Sequence, residues 1–170
     1  MVPWANGLGT TAVIARVPDT DAWAWRLSIA DVVTDGPFSA LPGVDRWIAV
    51  ARGAGMVLTV DGRDTTLIPS SGEFAFDGGA VTTCRLLDGP VQDLNLMLRR
   101  SRVTGSMEVV TVVAPLRVDG IAAVVVLSGT IMLDGSELAI HDAVLDPVGI
   151  ATPVSTGDTV CLAVVRLTPR

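Results

Sequence analysis

The residues best equipped for chemistry sit in two short apolar runs, WAWRLSIA at 23–30 and DLNLMLRR at 93–100. A period of two puts Trp23, Trp25, Leu27 and Ile29 on one face of the first run and Arg26 and Ser28 on the other. In the second run it sets Leu94, Leu96 and Leu98 against Asp93, Asn95, Met97 and Arg99. Arginine, serine and asparagine on one face make a binding repertoire. A guanidinium grips a carboxylate with two prongs, and each such hydrogen bond is worth about 1.5–3 kcal/mol where water is excluded. Arg26, Arg46 and Arg99 are the candidate anion-binding set. Two readings stand. Either these faces are the wet side of an antiparallel sheet, with arginines in weak surface pairs to Asp31, Asp45 or Asp93, or they line the mouth of a barrel and hold a ligand. A wet face usually carries Lys and Glu, and this chain has no lysine, which leans toward the second.

Other chemistries find less support. Zinc or iron in a small barrel asks for two or three histidines with a carboxylate or thiolates. The chain has one histidine, His141, expected in a strand or at a sheet edge, and two widely spaced cysteines, Cys84 and Cys161, expected as core thiols. Most acids stand in Asp-Gly turns, where the side chain serves the backbone. No metal and no cofactor is therefore expected. Serines are present without a neighbouring base, and there is no G-x-S-x-G, P-loop or dinucleotide fingerprint. Asp93 is a weak candidate for a base, and binding is favoured over catalysis.

The totals narrow the partners. Eighteen acids against twelve bases give a formal charge of -6, and the one basic tract is RRSR at 99–102, which argues against nucleic acid. No apolar run is long enough to span a bilayer, and the start lacks a secretory signal, so a cytoplasmic protein is expected.

The elements that must position these residues are strands. Valine, isoleucine and threonine recur in runs of four to eight between glycine-rich turns, including DGP at 35, DGR at 61, DGP at 88 and LDG at 133, which predicts an all-β sandwich or barrel. Strands are expected over 23–30, 46–51, 56–60, 73–76, 81–87, 92–99, 107–113, 121–127, 130–133, 138–141, 143–145 and 160–167. IAVARGAGMVLTVDG at 48–62 and VVVLSGTIMLDG at 124–135 share one scheme: strand, glycine turn, strand, Asp-Gly. Two copies of one β unit, 1–98 and 99–170, explain that echo; chance likeness between hairpins is the alternative. Sheet edges and the high apolar fraction favour a homodimer.

The segments PWANGLGTT, WRLSIADV, DGPFSALPGVDR, LLDGP and DLNLMLRR, in this order and spacing, resemble the HutD/Ves family over nearly the whole chain. The resemblance implies a cupin-type β-barrel or jelly roll with two cupin-like halves packed together, a bicupin. It also implies association with histidine utilisation and the binding of a small acid of that pathway, such as a formylated glutamate, in a sensing or regulatory role. It establishes no enzymatic activity. A metal-free isomerase or hydrolase acting on a similar acid is the alternative, and a structural dimeric barrel without ligand is a second. The family's shared positions fall on Trp4, Asn6, Gly7, Gly9, Thr11, Arg26, Ser28, Arg46, Asp93, Asn95 and Arg100. Of these, Trp4, Asn6, Arg26, Ser28, Arg46, Asp93, Asn95 and Arg100 are the expected contacts for a small carboxylate. Ala5 and Leu8 replace the lysine and middle glycine of the family's usual opening, which removes a cation from the site. Against the metal-binding cupin pattern, Arg46 stands where a metal-bound glutamate would be, and Ala75 lies near the place of a later histidine.

Overall fold

The protein is described by a computed structural model covering residues 2–3, 9–154 and 159–170. Its described residues form strands and turns, with no helix long and apolar enough to cross a membrane. The chain divides into two units, Met1–Thr104 with Pro169–Arg170, and Gly105–Thr168.

Unit 1 contains β1 (Val2–Pro3), β2 (Gly9–Val17), β3 (Trp25–Val32), β4 (Gly36–Pro37), β5 (Val44–Arg52), β6 (Met56–Val60), β7 (Arg63–Leu67), β8 (Glu73–Asp77), β9 (Thr82–Leu86) and β10 (Val91–Arg99). Among the described residues these make a sheet in the order β1-β2-β3-β10-β5-β8 and a second in the order β4-β9-β6-β7. The strands at 23–30, 46–51 and 92–99 appear close to their expected positions, while β2, which pairs with β3, had no counterpart in the reading of the sequence.

Directly opposed residues of an antiparallel pair point to the same side. The register sets Asn95 beside Ser28 and Ile48, Asp93 beside Ala30 and Val50, and Met97 beside Arg26 and Arg46. Phe74 and Phe76 continue this face on β8, opposite Ile48 and Arg46. It is the inner face. Val32, Ile48, Val50 and Val91 from the first sheet form one buried cluster with Met56, Leu58, Leu67 and Cys84 from the second, so the two sheets pack as a sandwich. The face carrying Leu27, Leu94, Leu96 and Leu98 is buried as well.

Unit 2 contains β11 (Val103–Val112, which begins at the end of unit 1), β12 (Leu116–Arg117), β13 (Ala123–Ser128), β14 (Ile131–Leu133), β15 (Ser136–Leu138), β16 (Ala143–Leu145), β17 (Ile150–Pro153) and β18 (Val160–Pro169, whose last residue belongs to unit 1). They form sheets in the orders β11-β18-β13-β16 and β12-β17-β14-β15. Valines, isoleucines and leucines, among them Val118, Val124, Val126, Ile131 and Leu162, make its core. The expected strand at 138–141 is corrected: β15 ends at Leu138, and His141 lies in the following turn at φ 74°. There its N–H donates to the Val126 carbonyl.

The shared sequence scheme has a matching local geometry. Asp61-Gly62 joins β6 to β7 with φ 47° and 79°, and Asp134-Gly135 joins β14 to β15 with φ 48° and 74°. Positive φ at both central residues is the two-residue hairpin whose twist suits the flanking strands. Gly62 has open space where a Cβ would stand. At Gly55, φ 113°, a Cβ would collide with the Leu67 carbonyl oxygen and lie 2.7 Å from Ile68 Cγ2. Gly62→Ala should therefore cost about 1–2 kcal/mol from backbone strain alone, and Gly55→Ala clearly more. Urea-unfolding midpoints check the order, and equal losses would contradict it.

Candidate functional site

Among the described residues, every buried polar side chain belongs to unit 1: Ser28, Arg46, Thr82, Asp93 and Asn95. Four of them, Ser28, Arg46, Asp93 and Asn95, come from β3, β5 and β10 and share the inner face. Period-two alternation places them there, and the packing of the second sheet encloses them. A wet face is thereby overturned: Asp93 is 0% and Arg46 4% exposed.

Arg46 Nη2 donates to Asn95 Oδ1 at 2.7 Å, and Asn95 Nδ2 donates to Asp93 Oδ1. The amide thus stands between cation and carboxylate. The Arg46 guanidinium carbon lies 5.2 Å from the Phe38 ring centroid and 4.9 Å from that of Phe76, a cation–π arrangement on two rings. Phe76 in turn stacks with Phe74 at 5.9 Å. All three phenylalanines of the chain are engaged here. Sequence reasoning passed over them; the signal was EFAFD, whose alternation sets Phe74 and Phe76 on the face of β8 that continues the Arg46 row.

Several hydrogen-bonding atoms are unspent. Arg46 Nε, Arg26 Nε and Asp93 Oδ2 are buried without a partner. Arg26 and Arg46 flank Met97 on neighbouring strands, about 10 Å apart at Cα from the strand spacing. Arg26 Nη2 approaches the Met97 sulfur at 3.4 Å, and Arg16 opposes Arg26 directly across β2 and β3. Three arginines therefore share one row of the sheet.

Burial dominates the electrostatics. It pulls the Arg46 guanidinium down to about 10, an effect opposed by Asp93 and reinforced by Arg26. Burial first, then Arg16, also lowers Arg26. Burial pushes the Asp93 carboxyl up to about 7 against the pull of Arg46 and of the Asn95 hydrogen bond, with Asp31 adding to the rise. The Cys84 thiol, raised to about 11 by burial, then Asp93 and Asp35, stays protonated. Two cations and a protonated thiol do not suit a divalent metal. Among the described residues no three His, Cys, Asp or Glu side chains come together.

The remaining candidates lie elsewhere. Trp4, Asn6 and Gly7 are outside the described residues. Gly9 and Thr11 are on β2, with Thr11 opposite Ala30. Arg100 is not brought to the cluster, because its guanidinium is committed to Asp45 and, at 2.8 Å, to Asp77. Arg99 stacks on Trp23 at 4.6 Å and donates through Nη2 to the Asp21 carbonyl, with its Nε unpartnered, and it is not among the residues that surround Asn95. Ala75 pairs with Trp47 on the opposite face of β8 from Phe74 and Phe76. Cys84 and Cys161 are free thiols, the first buried and the second partly so.

A cleft of about 520 Å³ lies at the border strands of unit 1. Val60, Arg63, Thr65, Phe74 and Phe76 are among its lining residues, from the border strands β7 and β8 and the adjacent end of β6. Phe76 belongs to both places: it walls the cleft and carries Arg46 on its ring.

Residues 1–163 match the family model described as HutD. A Pseudomonas putida relative described as an uncharacterized 21.2 kDa protein in the hutC 3′ region is 38% identical over 63% of this chain and 57% of its own length. Protein Ves of Citrobacter koseri is 35% identical over 62% of this chain and 56% of its own. The matched part of this chain thus spans a little over half the length of each. HutD of Pseudomonas fluorescens SBW25, from a formate condition, superposes with TM-score 0.81 at 35% identity, covering 99% of this chain and 93% of that one. A cupin 2 conserved barrel protein of Leptotrichia buccalis, 12% identical with TM-score 0.58 over 95% of this chain and 89% of its own, shares the fold. The architecture is a cupin-type all-β sandwich.

Asp93 leaves a pH signature in stability. Between about pH 4 and 7 the folded chain holds a proton that the unfolded chain has released. Stability contributed by this group is full below that window, falls by up to about 1.4 kcal/mol per pH unit across it, and is flat above. In urea unfolding across the window, the difference between wild type and Asp93→Asn should carry this slope. A pH-independent difference would contradict the buried, charge-strained carboxyl.

Proposed function

This chain belongs to the HutD family, and on that premise we propose that unit 1 binds a small carboxylate without a metal, in a sensing or regulatory role in histidine catabolism. The supporting observation is Arg46, a guanidinium enclosed between two aromatic rings with Nε unpartnered and joined to the Asp93 carboxylate only through Asn95. A desolvated cation without a direct counter-charge is costly, and an incoming carboxylate supplies what it lacks. Arg26, also with an unpartnered Nε and already facing Arg16, shares the work, and Ser28 and Asn95 offer polar contacts to the rest of the ligand. Phe76, which walls the cleft and carries Arg46 on its ring, supports entry from that side. The relative named from the hutC 3′ region supports looking among histidine-degradation acids.

A second reading draws on Asp93, whose carboxyl near neutrality and free Oδ2 suit an acid–base group. Turnover of a bound acid, followed by NMR and lost in Asp93→Asn, would select it.

The binding reading is tested by thermal shift with formate, urocanate, formiminoglutamate and N-formylglutamate, with formamide as the neutral control. At least one acid should stabilise the wild type. Arg46→Met, which keeps the volume, should weaken it by about ten- to a hundredfold, the loss of one charge-assisted hydrogen bond. Equal stabilisation of both forms, or of neither by any acid, removes the site.

A further inference from the structure

We propose that carboxylate binding at Arg46 is coupled to uptake of one proton by Asp93, so that the site takes its ligand as an anion together with a proton. This rests on the binding reading above and adds its regulation.

The coupling follows from how the two charges are joined. Asp93 is fully enclosed, and its Oδ1 reaches Arg46 only through the Asn95 amide. Among the described residues no guanidinium is in salt-bridge contact with it, and Oδ2 has no partner. The charged carboxylate is therefore held by the field of Arg46 across an intervening side chain. A ligand carboxylate closing on Arg46 cancels that field and adds a second negative charge nearby. Two carboxylates sharing one cation in a low-dielectric interior do not both stay ionised.

The groups acting on Asp93 favour the same outcome. From β5 comes Arg46, which the ligand engages. On β3, Arg26 lies in the Arg46 row and holds another unspent guanidinium nitrogen, while Asp31 pushes the Asp93 carboxyl up. Asp31 is itself held by Thr10 and Gln92. From β9, Cys84 is a neutral thiol that offers no compensating charge, and Arg16 on β2 acts through Arg26. The proton comes from solvent and attaches to Oδ2, the oxygen without a partner, leaving the site with one anion and a neutral acid. A carboxyl already close to half-protonated at neutral pH makes this transfer cheap.

The test is titration calorimetry of the full chain with formate and with N-formylglutamate, from pH 6 to 8.5, in two buffers of different ionisation enthalpy. The expected result is uptake approaching one proton at the alkaline end and an apparent Kd that weakens by up to tenfold per pH unit above neutrality. Asp93→Asn should lose the uptake and the pH dependence. His141→Asn, replacing the single histidine with a residue that tolerates its positive φ, should retain both. Infrared difference spectra of the wild type at pH 8, with and without 13C-labelled formate, give a readout that survives failure of Asp93→Asn to fold: a protonated carboxyl band should grow on binding. Binding without proton uptake, uptake that persists in Asp93→Asn, or no new carboxyl band overturns the coupling while leaving the binding site. No binding of either acid at any pH overturns the coupling, and if urocanate and formiminoglutamate also fail to bind, the binding reading falls with it.

Discussion

A sandwich interior tolerates an ionic group only where other groups hold it, and the structure of unit 1 turns on one such arrangement: Arg46 linked through Asn95 to Asp93. The guanidinium is held by two rings and an amide, the carboxylate by the same amide and a distant field. Neither is matched fully, and the mismatch appears as a lowered Arg46 and a raised Asp93, both with burial as the leading cause. Buried ion pairs are weak contributors to stability, since desolvation cancels most of the attraction. Stability alone therefore does not account for the three strands that enclose this one.

The two units use the same kind of sheet for different ends. The core of unit 2 is hydrocarbon, and its described residues include no buried polar side chain. Unit 1 packs an apolar layer of valines, leucines, Ile48 and Met56, yet gives up part of the same inner face to arginine, asparagine, serine and aspartate. A fold that can fill a sandwich with valine and leucine, and does so in one unit, has no packing need for buried charges in the other.

Much of the scaffold was legible. Strands show in the sequence as valine-rich runs between turns, and the Asp-Gly pairs mark both tight hairpins because few residues accept positive φ in succession. Where each arginine ends up was legible only in part. Arg26 and Arg46 converge across Met97, whereas Arg99 and Arg100 are drawn off by Trp23, Asp45 and Asp77. All four are arginines on or beside strands, and composition carries no record of which aromatic or acid the fold brings alongside. His141 shows the same limit: an apolar neighbourhood reads as strand, but a left-handed residue closes a turn there.

What the sequence determined by itself is which residues share a face, because alternation is a property of the extended backbone within one strand. Ser28 stands with Arg26, and Asn95 with Asp93, in any fold that makes 25–32 and 91–99 strands. Which face turns inward was a tertiary decision. Leu27, Leu94, Leu96 and Leu98 are buried on one side, and Ser28, Asp93 and Asn95 on the other, so hydrophobicity along a strand could not identify the face toward the second sheet. Only tertiary structure, with Phe76 paired beside Arg46 from β8, Phe38 closing on its guanidinium and the second sheet packing over both, turns a row of polar side chains into an enclosed cluster.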